Sequence, residues 1–151
     1  MEQIFSKLIF KTNGEGLTDI THNLNLFIQK SNFQSGILNL TSLHTSCSLT
    51  INENADPNVL KDLKKFMKSI VPNNCYTSLS KERKEIYYEH FQEGEDDMPA
   101  HIKTALTNTN LSLSFQEGEI ILGTWQAIYL WEHRFSKKER IISVHIIGSK
   151  S

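Results

Sequence analysis

The chain has 151 residues, 38% hydrophobic and 22% charged, with 16 basic and 17 acidic side chains and a formal net charge of -1. That length supports one self-sufficient core, so residues 1–151 are read as a single domain. The near balance of charge argues against nucleic acid as a partner and against electrostatic attachment to a membrane, since both need a basic excess on one face.

Gln3 to Lys11 alternates as a strand, with Ile4, Leu8 and Phe10 on one face and Phe5 and Ile9 on the other. It lacks the continuous apolar run of a secretory signal. No segment reaches the roughly 20 apolar residues that span a bilayer. A cytoplasmic location is therefore expected. Asn13 to Gly16 marks a turn, and Thr21 is a candidate N-cap for a helix to about Ser31 that buries Leu24, Phe27 and Ile28.

Gly36 to Thr50 is rich in β-formers, but its apolar phase changes midway. Leu38 and Leu40 occupy even positions, while Leu43, Cys47, Leu49 and Ile51 occupy odd ones. A strand that flips faces needs a bulge or kink, here expected beside His44. Asp56-Pro57 then caps and opens a helix whose stripe is Leu60, Leu63, Phe66, Met67 and Ile70, and Pro72 stops it. Residues Asn73 to Glu95 read as a long polar loop, with a short helix around Lys81 to Tyr88. Asp97-Met98-Pro99 repeats the cap-and-proline pattern and opens a helix to about Leu106. Three strand regions close the chain: Leu111 to Leu122, turning at Glu117-Gly118; Thr124 to His133; and Arg140 to Ile147. Helices scattered among hairpin-connected strands give an α+β fold with an antiparallel sheet.

Cys47 and Cys75 are too few for a disulfide scaffold and read as reduced thiols. Cys47 near His44 admits a thiol nucleophile, although a cysteine between strand leucines is more often core. No nucleotide-binding glycine loop and no nucleophile elbow occurs.

The chemistry therefore rests on histidines. His22 and His145 have structural explanations. His44 precedes two hydroxyl residues, His90 and His101 flank Glu93, Glu95, Asp96 and Asp97, and His133 lies between Glu132 and Arg134. Imidazole beside carboxylate sets a tautomer or orients a metal ligand, and three histidines with water make a common catalytic zinc centre. The spacing matches no compact metal motif, so four unconnected surface histidines is the competing reading. Glu53 lies between a strand and a helix with no evident structural task. Gln126 follows a glycine bend. Arg134 has the geometry to grip a phosphate or carboxylate, against the simpler reading of a surface salt bridge.

The segments His44-Thr45-Ser46-Cys47, Ile51 to Pro57, Asp96 to Lys103, and Gly123-Thr124-Trp125-Gln126 through Glu132-His133-Arg134 together resemble the YjbQ-type family, often labelled secondary thiamine-phosphate synthase. The resemblance runs in order over almost the whole chain. Residues Asn74 to Lys84 look longer than the family's usual loop, and Asn108-Thr109-Asn110 replaces its usual turn. The resemblance implies a twisted antiparallel sheet sandwich with a few helices, assembled as a homotrimer. It implies a histidine pocket built from His44, His101 and His133 with His90 nearby, holding a divalent metal such as zinc or magnesium. Glu53, Asp97, Gln126, Glu132 and Arg134 are its supporting residues. The implied activity is formation of thiamine phosphate with release of pyrophosphate from a small phosphorylated substrate, and the alternative is a trimer that binds a metal or metabolite without turnover.

Overall fold

A computed structural model describes residues 1–150. The elements in chain order are β1 (Glu2–Thr12), β2 (Gly16–Asp19), α1 (Thr21–Lys30), β3 (Phe33–Ser42), β4 (Cys47–Glu53), α2 (Pro57–Ile70), β5 (Cys75–Thr77), β6 (Glu85–Tyr87), α3 (Asp97–Leu106), β7 (Asn110–Gln116), β8 (Glu119–Ile120), β9 (Gln126–Glu132) and β10 (Lys138–Lys150). The fold is α+β, as the alternation of patterns requires. One antiparallel sheet runs β1-β10-β3-β7-β8, and a second runs β2-β9-β4.

The core lies between these layers. Leu38, Leu40, Val144 and Ile146 of the larger sheet meet Leu49, Ile128 and Leu130 of the smaller one, and Leu24 and Ile28 of α1 complete the cluster. Every one of these is fully buried, the condition under which an aliphatic side chain stabilises by about 1.5–3 kcal/mol. On β1, Leu8 and Phe10 pack against that core while Phe5 and Ile9 stay exposed, so only one of the strand's two apolar faces is covered. Among the described residues no helix is long and apolar enough to cross a membrane.

Several expectations shift in informative ways. The phase change after Leu40 is not a bulge within one strand. β3 and β4 belong to different sheets, and the residues between them, Leu43 to Ser46, form the crossing loop. From Ser35 to Ser42 and from Cys47 to Glu53 the pairing runs without a break, and the apolar phase of each strand is set by the sheet it joins. Lys81 to Tyr88 is not helical: it contains β6, which pairs with β5 in a ribbon where Cys75 faces Tyr87. Strand β2, which the sequence reading passed over, pairs along β9 from Gly16–Glu132 to Asp19–Tyr129. Thr21 is the first helical residue rather than the cap, and its hydroxyl accepts from the Ile128 amide at 2.8 Å. Asp56 caps α2 as expected, accepting from the Asn58 amide at 2.8 Å. The α2 stripe, however, is only half covered: Leu60, Leu63 and Met67 are partly buried, while Phe66 and Ile70 remain 63% and 49% exposed.

Candidate metal centre

The start of α3 is the most heavily charged point of the interior. Asp96 occupies its N-cap position and Asp97 its first helical turn, both buried. Neither aspartate caps the helix with its side chain. Both turn instead to the segment that follows β9. Asp96 Oδ2 accepts from Arg134 Nε at 2.9 Å and from the Phe135 amide at 2.8 Å. Asp97 Oδ1 pairs with Arg134 Nη1, and Arg134 Nη2 donates to the Glu93 carbonyl at 2.8 Å. Burial alone would raise the Asp97 carboxyl, but the His90 hydrogen bond and the Arg134 charge hold it below the usual carboxylate range.

The second oxygen of Asp97 faces two imidazoles. His101 lies four residues along α3 on the same face, and its Nε2 is 3.4 Å from Asp97 Oδ2. His90, from the loop before the helix, places Nε2 at 2.6 Å from the same oxygen. The His90 and His101 rings stand 5.5 Å apart, and one ligand atom from each of the three residues lies within 4.8 Å of the others.

The tautomer of His101 follows from its other nitrogen. Nδ1 is 2.9 Å from the Thr45 carbonyl, which can only accept, so Nδ1 carries the proton. In the neutral ring the unprotonated Nε2 then lies 3.4 Å from a carboxylate oxygen, and two acceptors stand side by side. A cation resolves that juxtaposition, either a proton or a metal. A histidine that donates Nδ1–H to a backbone carbonyl and offers Nε2 is the usual arrangement around a bound metal. Zinc–nitrogen and zinc–oxygen bonds of 2.0–2.2 Å at tetrahedral angles separate ligand atoms by about 3.4 Å, which the His101–Asp97 pair matches, whereas His90 Nε2 stands at a hydrogen-bond distance of 2.6 Å from Asp97 Oδ2 and would have to draw back to join an ion.

The remaining expected residues do not join this cluster. His44 belongs to the crossing loop, and its Nε2 accepts from the Ile141 amide at 2.8 Å. That lone pair is taken, so His44 is not a ligand through Nε2. Burial and then the nearby Arg140 charge lower its pKa and keep the ring neutral. His133 is an interior histidine, 1% exposed, with Nε2 at 2.8 Å from Ser48 Oγ and no partner for Nδ1. Burial first, then the Lys103 charge, pushes its pKa down to about 3. Glu132 is likewise internal: Arg140 holds it through Nε and Nη2, Thr12 Oγ1 donates at 2.7 Å, and the amides of His133 and Arg134 donate at 3.1 and 3.0 Å. Burial would raise the Glu132 carboxyl, but Arg140 and these donors hold it below its ordinary value. Arg134 spends its donors on Asp96, Asp97 and Glu93, and Lys103 is buried against Glu15 at 2.6 Å. Neither presents a free cation to a phosphate. Glu53 and Gln126 pair across β4 and β9 at the end of the small sheet opposite Cys47 and Glu132, six rungs away, or roughly 20 Å.

Arg140, Thr12 and Ser48 are among the buried polar residues that sequence alone does not single out. Arg140 Nη2 also donates to the Ser46 hydroxyl at 3.0 Å, and so ties the crossing loop, with its Thr45 carbonyl, to β10. Two hollows flank α3. An open depression of about 520 Å³ is lined by Ser42, His44, Thr45, His101, Thr104 and Thr107. A larger groove of about 920 Å³, mostly apolar, is lined by Ile70, Tyr76, Tyr87, Tyr88, Met98 and Ile102.

A family model described as UPF0047 protein YjbQ-like matches residues 6–149. The chain belongs to the UPF0047, YjbQ-like family. UPF0047 protein sll1880 of Synechocystis is 40% identical over 141 residues, covering 93% of this chain and 89% of its own. UPF0047 protein YjbQ of Escherichia coli O157:H7 is 43% identical over 113 residues, covering 75% and 74%. Among solved structures, a YjbQ/UPF0047 family protein of Clostridium acetobutylicum superposes with a TM-score of 0.75 at 28% identity, covering 95% of this chain and 99% of that one. The conserved hypothetical protein TT1486 of Thermus thermophilus gives 0.75 at 27% identity, covering 94% and 99%. UPF0047 membership fits the order of motifs along the chain and the antiparallel two-sheet fold.

Proposed function

We propose that this UPF0047 protein is an enzyme acting on a small phosphorylated molecule through a divalent-metal centre of His90, Asp97 and His101. The observation that carries the reading is the adjacent pair of acceptors, His101 Nε2 and Asp97 Oδ2 at 3.4 Å, with the His101 tautomer fixed from behind by the Thr45 carbonyl. The donor set of two imidazoles and one carboxylate suits zinc better than magnesium, which prefers oxygen ligands and retains its waters. When bound, such an ion supplies Lewis-acid stabilisation of phosphate oxygens. The chain's own residues bind and orient it: Arg134 fixes Asp97, Thr45 fixes His101, and half-exposed His90 closes the third side.

The specific form of this reading is thiamine phosphate formation. The thiazole nitrogen would form a bond to the methylene carbon of the pyrimidine diphosphate, whose carbon–oxygen bond breaks as pyrophosphate leaves. Arg134 and Lys103 are held in internal pairs, so a metal held by His90, Asp97 and His101 would have to supply the charge that stabilises pyrophosphate. The pairing of Arg134 and Lys103 also favours a second reading, a non-catalytic metal-binding protein, since neither cation is free to meet a substrate phosphate. A homotrimer, implied by the family resemblance alone, is part of either reading, and an assembly of copies would cover exposed apolar side chains such as Phe66, Ile70, Phe5 and Ile9. Metal analysis of the purified protein and of His101→Ala tests the centre. One zinc per chain, lost in the variant, supports it, and no metal in either refutes it. Thiamine phosphate formation that stops on chelation supports the enzyme, whereas zinc uptake with no turnover leaves the binding protein.

A further inference from the structure

The near-zero charge of the chain conceals an uneven distribution. Pro57 to Tyr88, which comprises α2 and the β5–β6 ribbon, carries seven basic side chains against three acidic ones, a net charge of +4 in a chain whose total is -1. A basic excess on one face is what attachment to an anionic membrane requires. Within the stretch, Asp62 pairs with Lys65 and Glu82 with Lys84. Lys61, Lys64, Lys68, Lys81 and Arg83 have no carboxylate partner among the described residues.

The same stretch leaves its apolar side chains in water. No residue of α2 is fully buried. On the ribbon, Tyr76, Ile86 and Tyr87 are 40%, 40% and 68% exposed, and Leu79, in the loop joining β5 to β6, is wholly exposed. The Tyr88 hydroxyl donates to the Pro72 carbonyl at 2.9 Å and so ties the base of the ribbon to the end of α2. Ile70 of α2 and Tyr76, Leu79, Ile86 and Tyr87 of the ribbon share the groove of about 920 Å³, in whose wall Glu89 is the only charged side chain. Contiguous apolar side chains of this kind mark an interaction surface. Phe66 and Ile70 are open to a second copy as well, so the ribbon decides the occupant. Leu79 shields nothing in the folded chain, and a fluid bilayer receives such a side chain without a shaped counterpart. Tyrosine favours the level where acyl chains meet headgroups, and a basic amphipathic helix lies in that same plane.

We infer that this face docks peripherally on an anionic lipid bilayer, with Leu79 and the ribbon aromatics entering the interface and Lys68, Lys81 and Arg83 meeting the headgroups. The inference does not depend on the metal centre.

The test sediments the full chain with vesicles of phosphatidylcholine alone and with about 30% phosphatidylserine added, at about 0.1 M salt, where charges interact over about 10 Å. Binding to the anionic vesicles is expected to be at least about tenfold tighter. Lys81→Ala with Arg83→Ala is expected to weaken it by about tenfold or more, because each basic group at the surface contributes about a factor of five. Leu79→Ser is expected to weaken it by about tenfold. Lys7→Ala with Lys11→Ala removes the same charge from β1 and is expected to change it by less than about threefold. All five side chains are exposed, so urea midpoints stay at the native value. No binding, equal binding to the two vesicle types, or an equal loss in the two charge variants overturns the inference. An assembly of copies that dissociates in Leu79→Ser also overturns it, because the face then belongs to contacts between subunits.

Discussion

Acidification should destabilise this protein through His133 before its carboxylates titrate. Burial holds the folded pKa at about 3, whereas the ordinary value is 6.5. Below pH 6.5 the unfolded chain therefore binds a proton that the folded chain refuses, and stability falls as pH falls. The contribution is fully present above the ordinary value and drains away down to the folded one. At pH 5 the interval is about 1.5 pH units, so about 2 kcal/mol is lost relative to pH 7. For a domain of this size that is a drop in Tm of about 4–8 °C. Glu132 acts in the same direction, but only below its ordinary value of 4.5, whereas His44, whose pKa is also lowered, adds to the slope between pH 7 and 5 in native chain and variant alike. Urea unfolding at pH 7, 6 and 5 measures the slope in the native chain and in His133→Gln, whose amide can still reach Ser48. The variant is expected to be less stable at pH 7 and to lose much less on going to pH 5. Equal losses in the two proteins would refute the argument, because every other histidine is common to both.

The Glu132–Arg140 pair makes a sharp contrast between single and double substitutions. Arg140→Met leaves a buried carboxylate without its cation and should cost about 3–5 kcal/mol, while Glu132→Gln with Arg140→Met should recover much of that, both read from urea midpoints. Gly148 sits opposite Gly36 across β10 and β3, where a Cβ would come 2.2 Å from the Ser35 carbonyl. Gly148→Ala should therefore destabilise by about 1–3 kcal/mol, with the denaturant slope unchanged.

Most of the architecture was legible because it rests on local signals. Asp56-Pro57 capped the helix it was expected to cap, and Glu117-Gly118 turned the hairpin, both residues adopting positive φ. What failed depended on partners distant in sequence. The crossing between β3 and β4 read as a bulge because periodicity reports which face is buried, not which sheet buries it. The Lys81 to Tyr88 stretch carried no alternation to distinguish it from a helix. Within the site, Asp97 and His101 sit at helical spacing and were readable as a pair; His90 joined them only through the fold. Glu132, His133 and Arg134 clustered in sequence, and His44 had the right chemistry, but Arg134 holds the start of α3, His44 and the Glu132–Arg140 pair hold the crossing loop, and His133 bonds Ser48 of β4. Arg140 gave no signal, since a lone arginine in a strand looks exposed until its carboxylate is known.

Zinc titration by calorimetry of the native chain, His90→Ala, His101→Ala and His44→Gln tests which histidines form the centre. The account predicts one zinc per chain, affinity lost by at least about a hundredfold in the first two variants, and a change of less than tenfold in His44→Gln, whose side chain can still accept from Ile141. Zinc binding that survives in His90→Ala and collapses in His44→Gln would contradict it.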